Sequence, residues 1–273
     1  MKKLSIITIN YNNKKGLLKT IESVINQTYQ NFEYIIIDGG STDGSLDVIE
    51  QYKNHIDVVI SEPDSGVYHA MNKGIRIAEG EYVNFMNSGD FFYEQETLEK
   101  IEASFSKDIG ILYGNTVYFN DDGYKRNETP PEKITFSFFY SLGLNHQAAF
   151  IKKELFQKYF YYNESFKICA DWEFFIYVIF IGKESYLHLG EYICYYDFSG
   201  ISAAPENLKL YNDERDVVLK KHFSLLLDDY ILISELKSKR IQNMLYIKKF
   251  KISWKLLKAF SNILLLFLPK RIR

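Results

Sequence analysis

Leu4-Ser5-Ile6-Ile7-Thr8-Ile9 is a short apolar run rich in β-branched residues, and the chain turns polar at once in Asn10-Tyr11-Asn12-Asn13. Such a run, ended by turn-forming residues, is the pattern of a strand buried on both faces of a parallel sheet. Leu17, Leu18, Ile21, Val24 and Ile25 then recur at helical spacing. The alternation continues, with strands predicted over 32–37, 57–60 and 81–86 and helices over 46–52 and 67–78, the latter closed near Gly80. Strand and helix in regular alternation predict a parallel sheet with right-handed crossovers.

Beyond residue 86 the pattern changes. Residues 109–119 read as a strand, Asn120-Asp121-Asp122-Gly123 as a turn, and the reversal that follows predicts an antiparallel or mixed extension. A helix is predicted over 134–142, a strand over 147–151, a strongly apolar helix over 171–181, and one or two strands over 186–196. From Pro205 onward the pattern is helical. No repeat or low-complexity linker interrupts the 273 residues, a length that suits one large domain or two small ones.

Hydrophobic residues make up 47% and charged residues 25% of the chain, which excludes a disordered chain and a polytopic membrane protein. Cys169 and Cys194 cannot build a disulfide framework, and no Cys/His spacing suggests zinc. The N-terminus reads directly into a strand rather than a secretory signal, so the cytoplasm is the expected compartment. The net charge of -2 hides a polarity. The last acidic residue is Glu235, and eleven Lys or Arg follow it, so a body of net -13 carries a tail of +11. An acidic body makes nucleic acid a poor partner, whereas the tail suits an anionic surface.

Ligands of open parallel sheets bind beyond the carboxyl ends of the strands. The loops there are Asn10–Asn13, Asp38-Gly39-Gly40-Ser41-Thr42-Asp43-Gly44, Glu62-Pro63-Asp64-Ser65-Gly66 and Asn87-Ser88-Gly89-Asp90. Each alone reads as a turn or a helix cap. Together they put four polar loops, three of them with Asp, on one edge. The first loop lacks the GxGxxG of dinucleotide sites, and no Gly-Lys-Ser/Thr marks a Walker loop. A carboxylate at the tip of the second strand suits a base N–H or a ribose hydroxyl. Asp90, after a buried strand and a glycine, is expected to lie exposed at the sheet edge, where it could hold Mg²⁺ or Mn²⁺ against a diphosphate.

These segments carry a resemblance. The run from Ser5 to Asn13, Gln27-Thr28-Tyr29-Gln30-Asn31-Phe32-Glu33, Ile37 to Gly44, Asp64 to Gly74 and Asn87 to Asp90 resemble, in order, glycosyltransferase family 2, over about residues 3–200. The nearest likeness is to the sugar transferases of bacterial O-antigen and capsule. The resemblance implies an α/β fold of the GT-A type, a Rossmann-like nucleotide-diphospho-sugar transferase fold with a mostly parallel central sheet, spanning 1–205. A helical region with a basic amphipathic tail would occupy 206–273. It implies an inverting transfer from a nucleotide-diphosphate sugar, most often a UDP-sugar, with Mn²⁺ or Mg²⁺ as cofactor. Ile9, Asn10, Tyr11, Asp38, Asp64, Asn72, Ser88 and Gly89 would contact the nucleotide, and Asp90 would bind the metal. Asn87 and Met71 stand where many members have Asp and Arg, which weakens those two correspondences.

Inverting transfer is one displacement at the anomeric carbon, so it needs a general base but no covalent nucleophile. Ala170-Asp171-Trp172-Glu173 opens an apolar helix and matches the family's acidic motif, which implies Asp171 as the base. Glu173 points elsewhere on the helix. Trp172 could face the acceptor or be core, and Asn145-His146-Gln147 resembles a segment lining the acceptor side, which makes His146 a second acceptor-side candidate. Phe198-Ser199-Gly200-Ile201-Ser202 resembles a loop that closes over the donor. The QxxRW motif of processive synthases is absent, so one sugar per encounter is expected.

The longest uncharged stretch of the tail, 259–269, is too short to span a bilayer. A basic amphipathic helix on the inner leaflet is the alternative, suited to a lipid-linked or oligosaccharide acceptor, and it predicts a cytoplasmic protein peripheral to the membrane. Two other classes compete. A sugar nucleotidyltransferase would want a Gly-rich basic loop after the first strand, which is missing. A catalytically silent membrane scaffold would have no use for Asp38, Asp90 and Asp171 together. The sequence leaves the oligomeric state open.

Overall fold

The computed structural model describes residues 2–200, 204–236 and 238–268. The chain forms two compact units, Met1–Asp216 and Val217–Arg273; the sequence had placed the division at 205/206.

In the first unit the alternation gives β1 (Leu4–Asn10), α1 (Lys14–Ile25), β2 (Phe32–Asp38), α2 (Ser45–Gln51), β3 (Val58–Ser61), α3 (Val67–Ile77) and β4 (Tyr82–Phe85). There follow β5 (Phe91–Phe92), α4 (Thr97–Ile101), β6 (Ile111–Phe119), β7 (Lys125–Glu128), α5 (Phe136–Ser141), β8 (Ala149–Lys152), α6 (Glu154–Lys158), α7 (Ala170–Phe180), a single β9 (Tyr186–Asp197) and the start of α8 (Leu208–Leu236). The sheet order is β3-β2-β1-β4-β8-β6-β9-β5, with β7 beside β6. β3, β2, β1 and β4 are parallel, as predicted. Beyond β4 the sheet is mixed, since β8 runs antiparallel to β4 and β6 while β9 runs parallel to β6. Most registered residue pairs are parallel. The sequence reading omitted β5, α4 and α6, each of five residues or fewer.

β1 and β2 are buried at every position because helices cover both faces. Leu4, Ile6, Tyr34 and Ile36 pack with Leu17, Ile21 and Val24 of α1. The alternate residues Ile7 and Ile37 face α3, where Gly74 lets the helix approach: a Cβ there would stand 2.6 Å from the Ile7 side chain. Burying these side chains contributes about 1.5–3 kcal/mol each, and this core fixes the register that pairs Asn10 with Asp38 and Asp38 with Ser61. That register sets the polar strand ends side by side.

In the second unit the remainder of α8 is kinked at Phe223. α9 (Lys239–Ile247) starts at a Ser238 cap, whose hydroxyl accepts from Ile241 N, and α10 (Lys251–Leu266) follows. On α10, Lys251, Lys255 and Lys258 form one stripe by helical spacing, while Ile252, Leu256, Phe260 and Ile263 lie exposed on another face. Among the described residues no helix is long and apolar enough to cross a membrane. Lys237, Pro269, Lys270, Arg271 and Arg273 of the basic tail, and Ile201 and Ser202 of the donor-loop segment, lie outside the described residues.

Candidate active site

A cavity of about 950 Å³ opens beyond the carboxyl ends of β1, β2 and β4. Nine of the twelve residues singled out in the sequence line it: Ile9, Asn10, Tyr11, Asp64, Ser88 and Asp90 on one side, His146, Asp171 and Trp172 on the other. Asp38, Asn72 and Gly89 do not.

Asp38 is fully buried. Its Oδ1 accepts from Asn10 Nδ2 (2.7 Å) and Ser41 Oγ (2.6 Å), and its Oδ2 from Ser61 Oγ (2.7 Å) and the Ser41 and Gly40 amides. Burial alone would raise its pKa, but the bonds from Ser41, Asn10 and Ser61 outweigh it and hold the carboxyl below its ordinary value. Asp38 thus ties three loops together under the cavity. Asn10 extends the tie, because its Oδ1 accepts from Ser88 Oγ (2.8 Å) of the β4 loop. An amide at position 38 would turn N–H toward donors, so Asp38→Asn is expected to cost about 3 kcal/mol of stability. Because the folded pKa is depressed, the carboxylate's contribution is fully present above its unfolded value, about 3.9, and is lost as pH falls through the folded value. Urea denaturation of both proteins over a pH series checks this: the gap should close at acid pH.

Tyr11, Gly39 and Asp64 form one corner. The Tyr11 ring is 68% exposed. A Cβ on Gly39 would meet that ring at 3.1 Å and Asp64 Oδ2 at 3.6 Å. Asp64 Oδ1 pairs with Lys73 Nζ and His69 Nδ1, both at 2.7 Å, whereas its Oδ2 is buried without a partner. An unpaired carboxylate oxygen beside a flat open ring is an acceptor waiting for an N–H or O–H. Asn72 is spent elsewhere: it donates to Tyr162 O and Glu164 Oε1 and accepts from Tyr162 N. Gly89, at φ +108, turns the β4 loop and donates to Thr20 Oγ1.

Asp90 corrects an expectation. It is not exposed at the edge but 4% exposed, because β9 closes over it. Its Oδ1 accepts from the Asp197 amide (2.8 Å) and its Oδ2 from Gln147 Nε2 (3.0 Å). Burial pushes its pKa up to about 7, with these two bonds opposing, and among the described residues no Lys or Arg ion-pairs with it. Asn87 Oδ1, three residues earlier, is buried without a partner. Asp197, at the end of β9, also lines the cavity. The sequence reading missed it, although an Asp in the loop after a strand was the signal used for three of the first four strands.

Asp171 stands in the first turn of α7, where the helix dipole favours a negative charge. Its Oδ1 accepts from Tyr68 OH (2.8 Å) and Trp172 N (2.9 Å), and its Oδ2 meets His146 Nδ1 at 2.7 Å. His146 Nε2 lies 3.1 Å from Asn87 Nδ2. With that amide donating, the neutral ring carries its proton on Nδ1 and donates it to Asp171. A chain of Asn87, His146 and Asp171 therefore spans the cavity wall. Trp172 is 6% exposed, so it is largely core while still contributing to the cavity lining. Glu173 is buried.

The sequence profile of Glycosyl transferase family 2 matches residues 5–170. The chain belongs to glycosyl transferase family 2. It is 31% identical over 219 residues, 78% of its length and 81% of the relative's, to an uncharacterized glycosyltransferase of Mycobacterium tuberculosis. A PGL/p-HBAD biosynthesis glycosyltransferase of Mycobacterium bovis is 29% identical over 175 residues, covering 62% of this chain and 67% of the relative. Among solved structures, S. aureus TarS 1-349 in complex with UDP-GlcNAc shares the fold at TM-score 0.58 and 22% identity, over 71% of this family 2 chain and 58% of that one. A mannosyltransferase of Pyrobaculum calidifontis in complex with GDP-Man and Mn²⁺ does so at TM-score 0.58 and 15% identity, over 83% and 64%. The chain spans 36% of the longer S. aureus TarS structure. These likenesses establish the GT-A architecture that the strand order describes. The family match covers the four loops and stops one residue short of Asp171.

Proposed function

We propose that this family 2 chain is an inverting glycosyltransferase. It moves one sugar from a nucleotide-diphosphate donor, a UDP-sugar, to a hydroxyl of a lipid-linked glycan in surface-polysaccharide assembly of the O-antigen or capsule kind. The observation that carries the reading is the convergence of Asp64, Asp90 and Asp171 on one cavity from three distant parts of the chain.

The donor's base would lie against Tyr11 and Gly39, with the free Asp64 Oδ2 accepting an N–H from it. The sugar would then point toward Asp171. The acceptor hydroxyl attacks the anomeric carbon, the bond to the diphosphate oxygen breaks with its electron pair, and the hydroxyl proton passes to Asp171. Tyr68 and His146 hold the Asp171 carboxylate in the orientation this requires. Among the described residues no group of three His, Cys, Asp or Glu forms a ready metal cage. The donor set nevertheless fits a hard cation. Asp90 is a buried carboxyl group with no Lys or Arg ion pair among the described residues, and the orphaned Asn87 Oδ1 is a neutral oxygen close by in sequence. Mg²⁺ and Mn²⁺ are held by few protein oxygens plus substrate phosphates. Bound there, the ion would neutralise charge on the leaving diphosphate. Asp197 is a further oxygen on the same wall.

The test is turnover and nucleotide binding in Asp171→Asn. A silent scaffold would bind nucleotide equally well in both proteins and turn over in neither.

The stripes of α10 support the membrane part of the reading, since exposed apolar residues beside lysines suit an anionic bilayer surface. Changing Lys251, Lys255 and Lys258 to Gln removes about 1 kcal/mol of attraction each. Cosedimentation with phosphatidylglycerol-containing vesicles is then expected to weaken about 100-fold. Equal binding by both proteins, or no binding to vesicles by either, would contradict the membrane role.

A further inference from the structure

We propose that Glu214, helped by Arg215, is a positioning residue for Asp171. The first turns of α8 would then belong to the catalytic machinery; this inference rests on the reading of Asp171 as the base.

α7 begins without a cap of its own, since Cys169 offers no side-chain hydrogen bond to the helix. The three amides just before it are all taken by one carboxylate. Glu214 Oε1 accepts from Lys167 N (2.7 Å), and Oε2 from Ile168 N and Cys169 N (both 3.0 Å). Glu214 is 6% exposed. A buried carboxylate is expensive unless donors surround it, and here the donors are the backbone leading into Asp171. Three consecutive N–H groups on one anion fix the path of 167–169, and so fix where the first turn of α7 starts.

Arg215 acts on the other side of Asp171. It donates to Phe139 O (2.8 Å), Tyr140 O and Tyr211 OH (2.7 Å), and its guanidinium lies 4.5 Å from the Trp172 ring centre. Trp172 Nε1 donates to the same Phe139 carbonyl (3.0 Å). Gly143 completes the fit, because a Cβ there would stand 2.7 Å from Trp172 Cδ1. Two adjacent residues of α8 therefore hold the backbone before Asp171 and the side chain after it. Lys167, Ile168, Trp172 and Tyr211, all held in this way, line the cavity. Neither Glu214 nor Arg215 lies in the family-matched stretch. A merely structural anchor for α8 would use the same bonds, so the experiment must separate the two.

Glu214→Gln keeps the volume and turns one acceptor oxygen into an N–H facing N–H groups. Turnover is read as UDP release from the fastest donor in a panel of UDP-hexoses and UDP-N-acetylhexosamines, with a bacterial lipid extract as acceptor, per UDP-titrated site. A displaced base is expected to lower kcat about 100-fold, with the donor KM and the UDP affinity within threefold of wild type. In an Asp171→Asn background the same change should cost nothing further, because Glu214 acts only through that carboxylate. Arg215→Lys keeps the charge but loses the planar fork, and should lower kcat in the same pattern. An unchanged kcat in Glu214→Gln overturns the proposal, and so does a loss that multiplies with Asp171→Asn. Loss of UDP binding together with turnover overturns it too, since Glu214 would then hold the fold. Wild-type turnover in Asp171→Asn alone, or none from any donor with the wild type, overturns instead the functional reading beneath it.

Discussion

Replacing Asp171 with Asn is expected to slow sugar transfer about 10³-fold while leaving UDP affinity within threefold. An amide cannot take the acceptor's proton, so the loss falls on the chemical step. The neighbours are only partly disturbed. Trp172 N can still donate to the amide oxygen, and Tyr68 OH loses a charged acceptor. His146 Nδ1 would face either the amide oxygen or its N–H. The fold should survive, because Asp171 lies at the cavity wall and the core of β1, β2 and α1 is elsewhere. Transfer rates and UDP titration on the same preparations check the result. A variant with more than a tenth of wild-type kcat would remove Asp171 from the role of base.

Asp90→Ala should abolish the metal-dependent part of nucleotide binding. In the wild type, UDP with Mn²⁺ at a hundred times its dissociation constant is expected to stabilise the fold by about 2.7 kcal/mol. In Asp90→Ala, UDP should act alike with and without the metal. Without nucleotide the variant should be no less stable than a cavity of this size implies, because burial already disfavours the Asp90 charge. Differential scanning fluorimetry over UDP, GDP and dTDP, each with and without Mn²⁺, reads both effects. A metal-dependent shift that survives in Asp90→Ala would move the cation elsewhere, with Asp197 the next candidate.

The parallel half of the sheet was legible because the strands from β1 to β4 are short, mostly apolar runs ended by polar loops, and β1, β2 and β4 are buried at every position, as central parallel strands require. The mixed half was less so. β5 has two residues, and its partners in β9 lie more than a hundred residues away, so no local period encodes the pairing. The same distance explains the site. Asp171 could be read from its place at the head of an apolar helix. Asp38 was singled out on equally good local grounds, yet its donors come from Asn10, Ser41 and Ser61, and only the strand register brings these round one carboxylate. Asp90 was expected at an open edge because the strand that covers it, β9, begins almost a hundred residues later. Glu214 and Arg215 sit in an ordinary helical pattern, and nothing local tells which face meets the loop before α7.

The most direct test of the account is hydrogen–deuterium exchange of the wild type with and without UDP and Mn²⁺. The account expects slowed exchange in the loops at 10–13, 39–41, 62–66 and 87–90, and little change in 141–147 and 166–171, which await the acceptor. Protection confined to other segments, or none at nucleotide concentrations that shift the melting temperature, would mean that the cavity bearing Asp64, Asp90 and Asp171 is not the donor site.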